Sequence, residues 1–202
     1  MAAYVTAAEV KTYLGISSTT DDTLITTLIT RAQAAVDAYT HRTFSSTANA
    51  TRRFTVNRDS YQRMLWLDED LISINAVVTN ADSTATSTVS STEYITHPRN
   101  RTPYYAIEIR SDANEAWEYA AAAEMGITVS GKWAYSTTPP NDVKHATIRL
   151  SAFYYRQKDA QVFDVTAMPE TGTMTVPIGM PRDVTLILEP YVRSTLSLGL
   201  SV

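Results

Sequence analysis

Apolar residues in this chain recur with a helical period at both ends and with a period of two in the middle. Thr6 and Glu9 form a Thr-x-x-Glu capping box ahead of Val10, Tyr13 and Leu14. Gly15 stands where a helix closes on a left-handed residue, so a short helix is predicted over about 7–14. Asp21 or Asp22 then caps a second helix, which runs to about Thr40. Leu24, Ile25, Leu28, Ile29, Ala32, Ala35, Val36 and Tyr39 share an arc of about 140°. Arg31, Gln33 and Asp37 fall outside it.

From about 51 to 135 the period changes. Phe54 and Val56 alternate, then Leu65 and Leu67, then Ile72 and Ile74. Tyr105, Ile107 and Ile109 alternate with Ala106, Glu108 and Arg110, and Ile127, Val129, Gly131, Trp133 and Tyr135 repeat the pattern. Such alternation implies antiparallel strands with one solvated face. Turn-forming clusters at Asn57–Ser60, Asn80–Ser83, His97–Pro103 and Ser111–Asn114 separate them. The alanine run in Glu115–Glu124 predicts a short helix. Five or six short strands predict a small sandwich or barrel.

Pro139-Pro140-Asn141-Asp142 opens a third helix, predicted over about 141–158, with proline tolerated in its first turn. Val143, Ala146, Leu150, Phe153 and Tyr154 form one apolar stripe, and Ile148, Ala152 and Tyr155 form a second. A helix with two apolar sides is buried on both. The second side meets either the β-rich part or a neighbouring subunit, which makes Ile148, Ala152 and Tyr155 candidate interface residues. Residues 159–180 read as loop, with Thr171–Val176 as an extended arm. A fourth helix is predicted over about 182–188, stopping before Pro190. The end of the chain alternates again: Leu196, Leu198, Leu200 and Val202 are separated by Ser197, Gly199 and Ser201.

The expected fold class is therefore α+β. A helical domain comprises 1–50 and 136–193, a β-rich domain is inserted at 51–135, and an extended tail occupies 194–202. With 202 residues the chain is long enough to bury about 70 % of its unfolded surface. The formal charge of −4 argues against a chain-wide basic footprint for nucleic acid or anionic membrane. Charged residues make up 19 %, below the usual ~25 %, and serine and threonine take their place. The absence of cysteine excludes disulfides, thiolate nucleophiles and Cys-ligated metals. The first residues carry no basic and apolar export signal, and no run is long enough to span a membrane.

Candidate chemistry is sparse. His41, His97 and His145 lie in different elements, with no H-x-x-x-H spacing, so capping or surface roles are expected and no metal ligand is assigned. There is no G-x-S-x-G and no phosphate-binding loop. Asp68, Glu69 and Asp70 form an acidic run that is read as a solvated turn rather than a pair of catalytic acids. Arg52, Arg53, Arg58, Arg63, Arg99 and Arg101 are read as neighbour contacts rather than phosphate ligands. Trp66, Trp133, Tyr104 and Tyr105 are expected to pack rather than to stack on sugars. No catalytic residue and no cofactor are assigned.

Several segments carry a resemblance. Val5-Thr6-Ala7-Ala8-Glu9-Val10-Lys11-Thr12-Tyr13-Leu14-Gly15-Ile16, Asp21–Ile25 and Ala35–Phe44 are similar to the head-tail connector, or neck adaptor, family of tailed bacteriophages. Trp66–Leu71, Val129–Ser136, Pro139–Lys144 and Pro190-Tyr191-Val192-Arg193 agree with it in order. Together they cover somewhat over half the chain. The resemblance implies a structural virion protein assembled in the host cytoplasm. Such proteins form a ring beneath the portal protein, commonly twelvefold, that extends the DNA channel and docks the next neck or tail protein. The partners implied are the portal, neighbouring copies, that downstream component, and genomic DNA passing without specific binding. Many shorter relatives are almost wholly helical, so the β-rich insertion departs from them and its role is not carried over. The terminal residues Tyr191, Val192, Arg193, Leu196, Leu198 and Leu200 are expected to dock on the portal; the alternating leucines either add a strand to a portal subunit or a neighbouring adaptor, or form a frayed end or the last strand of the chain's own sheet. The competing readings are a β-module for carbohydrate or a host surface, and a cell-wall hydrolase.

Overall fold

In a computed structural model, residues 3–46, 48–160, 166–168, 172–174 and 179–193 are described. The fold is α+β, and the chain divides into two compact units. Residues 1–42 and 139–202 form one, and 43–138 form the other.

The helical unit holds α1 (Ala7–Leu14), α2 (Asp22–Thr40), α3 (Asn141–Ala160) and α4 (Arg182–Leu188). The capping box at the start of α1 is present: the Thr6 side chain accepts from Glu9 N and the Glu9 carboxylate accepts from Thr6 N. Gly15 ends the helix at φ 72°, a value that favours glycine. Ile25, Ile29, Ala32 and Val36 make the buried stripe of α2, as the periodicity requires. The capping role expected of Asp21 is not realised. Asp21 occupies the N-cap, but its side chain makes no capping hydrogen bond. Its carboxylate instead accepts from Tyr155 and from Lys158 Nζ, the latter at 2.6 Å. Two residues outside the predicted apolar arc of α2 are also covered. Tyr4 and Val5 are buried, and Tyr4 reaches Gln33 and Asp37.

Helix α3 packs against α1, α2 and α4. Val143, Ala146, Thr147, Leu150, Ser151 and Ala152 are all buried along it. The two hydroxyls in that set donate to the carbonyls four residues back, Thr147 to Val143 at 2.8 Å and Ser151 to Thr147 at 2.7 Å. Their polarity is thereby satisfied without partners from other elements. After α4 a 3-10 turn spans Glu189–Tyr191. In the predicted arm, the described residues Thr166–Met168 (β8) and Gly172–Met174 (β9) pair antiparallel. The remainder of that arm and the tail 194–202 lie outside the described residues.

The second unit contains β1 (Ala50–Phe54), β2 (Ser60–Tyr61), β3 (Met64–Thr79), β4 (Ser87–Thr88), β5 (Tyr94–His97), β6 (Tyr104–Ile109) and β7 (Ile127–Trp133). They form one antiparallel sheet, ordered β1-β7-β3-β6-β5 with β2 and β4 also on β3. Strand β3 is the spine: its first half pairs with β6 and its second half with β7. Leu65, Leu67, Leu71 and Val77 of β3 are buried with Ile107, Ile109, Ile127, Val129 and Trp133. The β6 alternation shifts at its start, where Ala106 is buried and Tyr105 is exposed.

Two sequence expectations fail here. Asp68, Glu69 and Asp70 are not a turn; they lie inside β3, between Trp66 and Leu71, where the register with β6 shifts. The irregularity accommodates the acidic run within a continuous strand. Glu115–Glu124 is not a helix; only Ala123–Met125 forms a single 3-10 turn. Trp117 is buried and donates from its indole to Arg63 O at 2.8 Å. The N–H groups of Ala120, Ala121 and Ala122 all donate to the Asp82 carboxylate. Those bonds outweigh the weak helix preference of the alanines and hold the Asp82 carboxyl down to about 2.

The two ends of this unit are laced together. Tyr135 N donates to Thr43 O at 2.7 Å, Ser136 Oγ to Phe44 O at 3.1 Å and Ser45 Oγ to Thr137 O at 3.3 Å. Phe44, fully buried, packs on Tyr135 with ring centroids 5.4 Å apart.

Gly131 sits where β7 crosses the irregular part of β3. A Cβ there would lie 2.1 Å from Ser73 O and 2.9 Å from Leu71 Cδ1. Backbone cannot yield cheaply at such a distance, so Gly131→Ala is expected to destabilise the sheet unit by at least about 2 kcal/mol, read as a lowered denaturation midpoint.

Candidate assembly surfaces

The predicted docking residues begin at the end of the helical unit. Helix α2 ends on His41 at φ 53°, whose N–H donates to Asp37 O. Thr40 O beside it accepts from Arg193 N at 2.8 Å, and Arg42 Nε donates to Tyr191 O at 2.7 Å. The Tyr191 hydroxyl meets Asp142 Oδ2, in the first turn of α3, at 3.2 Å. Tyr191 and Arg193 are thus tied by backbone to the C-terminal end of α2, while Val192 between them is 37 % exposed. Leu196, Leu198 and Leu200 lie outside the described residues.

The second stripe of α3 divides. Ala152 is buried, while Ile148 and Tyr155 are half-buried. The Tyr155 hydroxyl donates to Asp21, and Lys158 Nζ lies 4.2 Å from the Tyr155 ring centroid. The hydrogen bonds of Lys158 and Tyr155 hold the Asp21 carboxyl below its ordinary range, and the same bonds raise Lys158. This cluster clamps the start of α2 to the end of α3.

Near it, α1, α3 and the start of α4 enclose a cleft of about 220 Å³. Tyr13, Phe153, Pro181 and Val184 supply its apolar walls, and Arg149 and Arg156 its charge. Arg149 is ion-paired with Asp183. The sequence reading passed over this cleft, because its walls come from three helices far apart in the chain. The α4 pattern held one clue. Val184 and Leu188, four apart, are buried, and that spacing turns Leu186 outward, 58 % exposed.

On the sheet unit, the acidic run and the arginines find partners within the chain. Arg52 pairs with Asp68 at 2.7 Å and Glu69 at 2.6 Å, and its guanidinium stacks 4.6 Å over Trp133. Trp133 is buried, while Trp66 stacks on Tyr105 with centroids 6.0 Å apart. His97 Nε2 lies 2.8 Å from Glu108. His145 meets Tyr13 edge-on at 6.3 Å, so the three histidines are each in a different setting. Among the described residues no group of three His, Asp or Glu is placed to hold a metal ion, and no helix is long and apolar enough to cross a membrane. The two aromatic pairs and the arginine clamp are packing contacts within the chain. None brings a nucleophile to a base.

The sequence matches the head completion protein family model over residues 3–194. The chain belongs to the head completion protein family. Two solved structures share the fold of this head completion protein. A chain in the neck of a native GTA particle, computed with C12 symmetry, is 16 % identical and superposes with a TM-score of 0.57, covering 95 % of this chain and 91 % of that one. A chain in the neck of an empty GTA particle, computed with C6 symmetry, has the same identity and TM-score and covers 95 % and 92 %. No curated protein matches the sequence.

One titratable group in the helical unit is set against its surroundings. Burial pushes the Asp37 carboxyl up from 3.8 to about 6, and the 2.5 Å hydrogen bond from Tyr4 only partly offsets this. The folded protein therefore holds that proton more tightly than the unfolded chain does. The associated stability is present below 3.8 and is lost as the pH rises through about 6. Asp37→Asn keeps an acceptor for Tyr4 and removes the buried charge. It is expected to raise the melting temperature well above pH 6 and to change it little near pH 4, measured by thermal denaturation across that range.

Proposed function

We propose that this head completion protein is a non-enzymatic head-tail adaptor, one subunit of a ring in the neck of a phage-like virion. The observation that carries the reading is the family match over residues 3–194, nearly the whole chain. The shared fold with chains of particle necks computed with twelvefold and sixfold symmetry supports a ring.

Its mechanism is geometric. The helical unit packs laterally, and the terminal segment from Tyr191 onward anchors the subunit to the portal. The sheet unit offers a further surface to the next neck or tail component. Ring closure multiplies modest contacts, because each subunit is held by two neighbours and the portal at once. A net charge of −4 suits a channel through which DNA slides without gripping. The backbone ties of Tyr191 and Arg193 to Arg42 and Thr40 give the anchor a stiff base.

Size-exclusion chromatography with light scattering tests this reading. The protein alone is expected to run as a monomer at low concentration and to join an assembly when portal is added. Deleting residues 194–202 is expected to leave a folded protein that no longer docks on portal. Normal docking by the truncated protein would remove the tail from the mechanism.

A further inference from the structure

The cleft between α1, α3 and α4 has a complement on the same molecule. Its walls are aromatic and aliphatic: Tyr13, Phe153, Pro181 and Val184. Tyr13 is 45 % exposed at its rim. Of its two arginines, Arg149 is neutralised by Asp183. Arg156 is exposed and makes no ion pair or hydrogen bond among the described residues. The cleft therefore joins aromatic and aliphatic walls to three charged side chains, and among the described residues Arg156 is the one of these without an ion pair.

Leu186 is 58 % exposed, the most exposed large aliphatic side chain among the described residues of the helical unit. Glu189 follows it by three residues, on the same face, and is also exposed with no side-chain partner among the described residues. This pair is an apolar knob with one free negative charge beside it. An aliphatic side chain suits the aromatic and aliphatic part of the cleft wall, and Glu189 is opposite in charge to Arg156.

A knob cannot enter the socket of its own molecule. Val184 lines the cleft, and Leu186, two residues on, projects roughly 200° away around the same helix. We propose that Leu186 and Glu189 of one copy dock into the Tyr13–Phe153–Arg156 cleft of the next. Donor and acceptor patches differ, so the contact is heterologous, and a heterologous contact generates a ring when its rotation closes. The inference names the lateral contact of the ring proposed above and rests on that reading. It assigns the contact to α4 and the cleft, with Leu186 as the buried anchor and the Arg156–Glu189 pair setting register.

The absence of cysteine makes disulfide trapping clean. The full chain carrying Tyr13→Cys and Leu186→Cys is oxidised at high concentration, where trapping captures even brief encounters. Both positions are exposed, so the substitutions are expected to leave folding intact, checked by circular dichroism. The expected result is a ladder of linked copies on a non-reducing gel. Mixing the two single variants is expected to give only a mixed dimer. Adding Arg156→Glu is expected to lower the yield about tenfold, and adding Glu189→Arg to that variant to restore it. Arg156→Cys with Glu189→Cys provides a second pair for trapping. If folded protein gives no ladder with either pair, the proposal is overturned. It is also overturned if Leu186→Cys alone forms dimers as readily as the pair. Oligomers of the parent protein caught by amine cross-linking, without the disulfide ladder, would overturn this contact and leave the adaptor reading standing. A ladder from protein that never joins portal would do the reverse.

Discussion

The helical unit depends on the burial of α3. The chain leaves this unit after Arg42 and returns at Pro139, so α1 and α2 are joined to α3 only across residues 43–138. What brings them together is the apolar and small surface of α3, with Val143, Ala146, Leu150 and Ala152 out of water. Burying a side chain of leucine size contributes roughly 1.5–3 kcal/mol, so a handful of such residues is enough to oppose the loss of chain freedom on docking. The Asp21–Tyr155–Lys158 cluster fixes where along α3 the start of α2 comes to rest. It lies near the surface, and its part is to set position more than to add stability. The surfaces proposed for the portal and for the lateral contact sit on this frame: the cleft on one side of α4, the exposed leucine on the other, and the terminal strap against α2.

The sheet unit has its own constraint. A single 16-residue strand serves two partners in succession, and it changes register on the way. The change places Asp68 and Glu69 beside Arg52, and Arg52 over Trp133. It also brings β7 so close to β3 that only Gly131 fits at the crossing. Acid run, arginine, tryptophan and glycine are four parts of one local arrangement.

Regular elements were legible in the sequence wherever one face was buried. The four helices follow the predicted positions because capping residues and 3.6-residue stripes agree with each other. The strands of β7 and the later part of β6 follow alternation for the same reason. The misreadings share a different cause. Asp68–Asp70 reads as a turn because acidic residues favour exposed loops; the partner that admits Asp68 and Glu69 to a strand, Arg52, lies on another strand. Glu115–Glu124 reads as a helix because alanine favours one; the competing acceptor, Asp82, is more than thirty residues away. Asp21 reads as a cap because nothing local reveals Lys158. Among the proposed assembly surfaces, the terminal residues Tyr191–Arg193 are expected from their resemblance to a family. The cleft is not, since its walls are contributed by three helices and no one segment carries its pattern.

The lacing of Thr43, Phe44 and Ser45 to Tyr135, Ser136 and Thr137 bears on how such a chain arose. A flexible excursion of the same length would oppose closure of the helices by roughly 4 kcal/mol, but one whose two ends are already stitched side by side acts as a very short connection. The host helices therefore barely register how long the excursion is. Evolution can enlarge, trim or replace it wholesale while the bundle goes on folding as before, and a viral lineage can retool one unit without renegotiating the other.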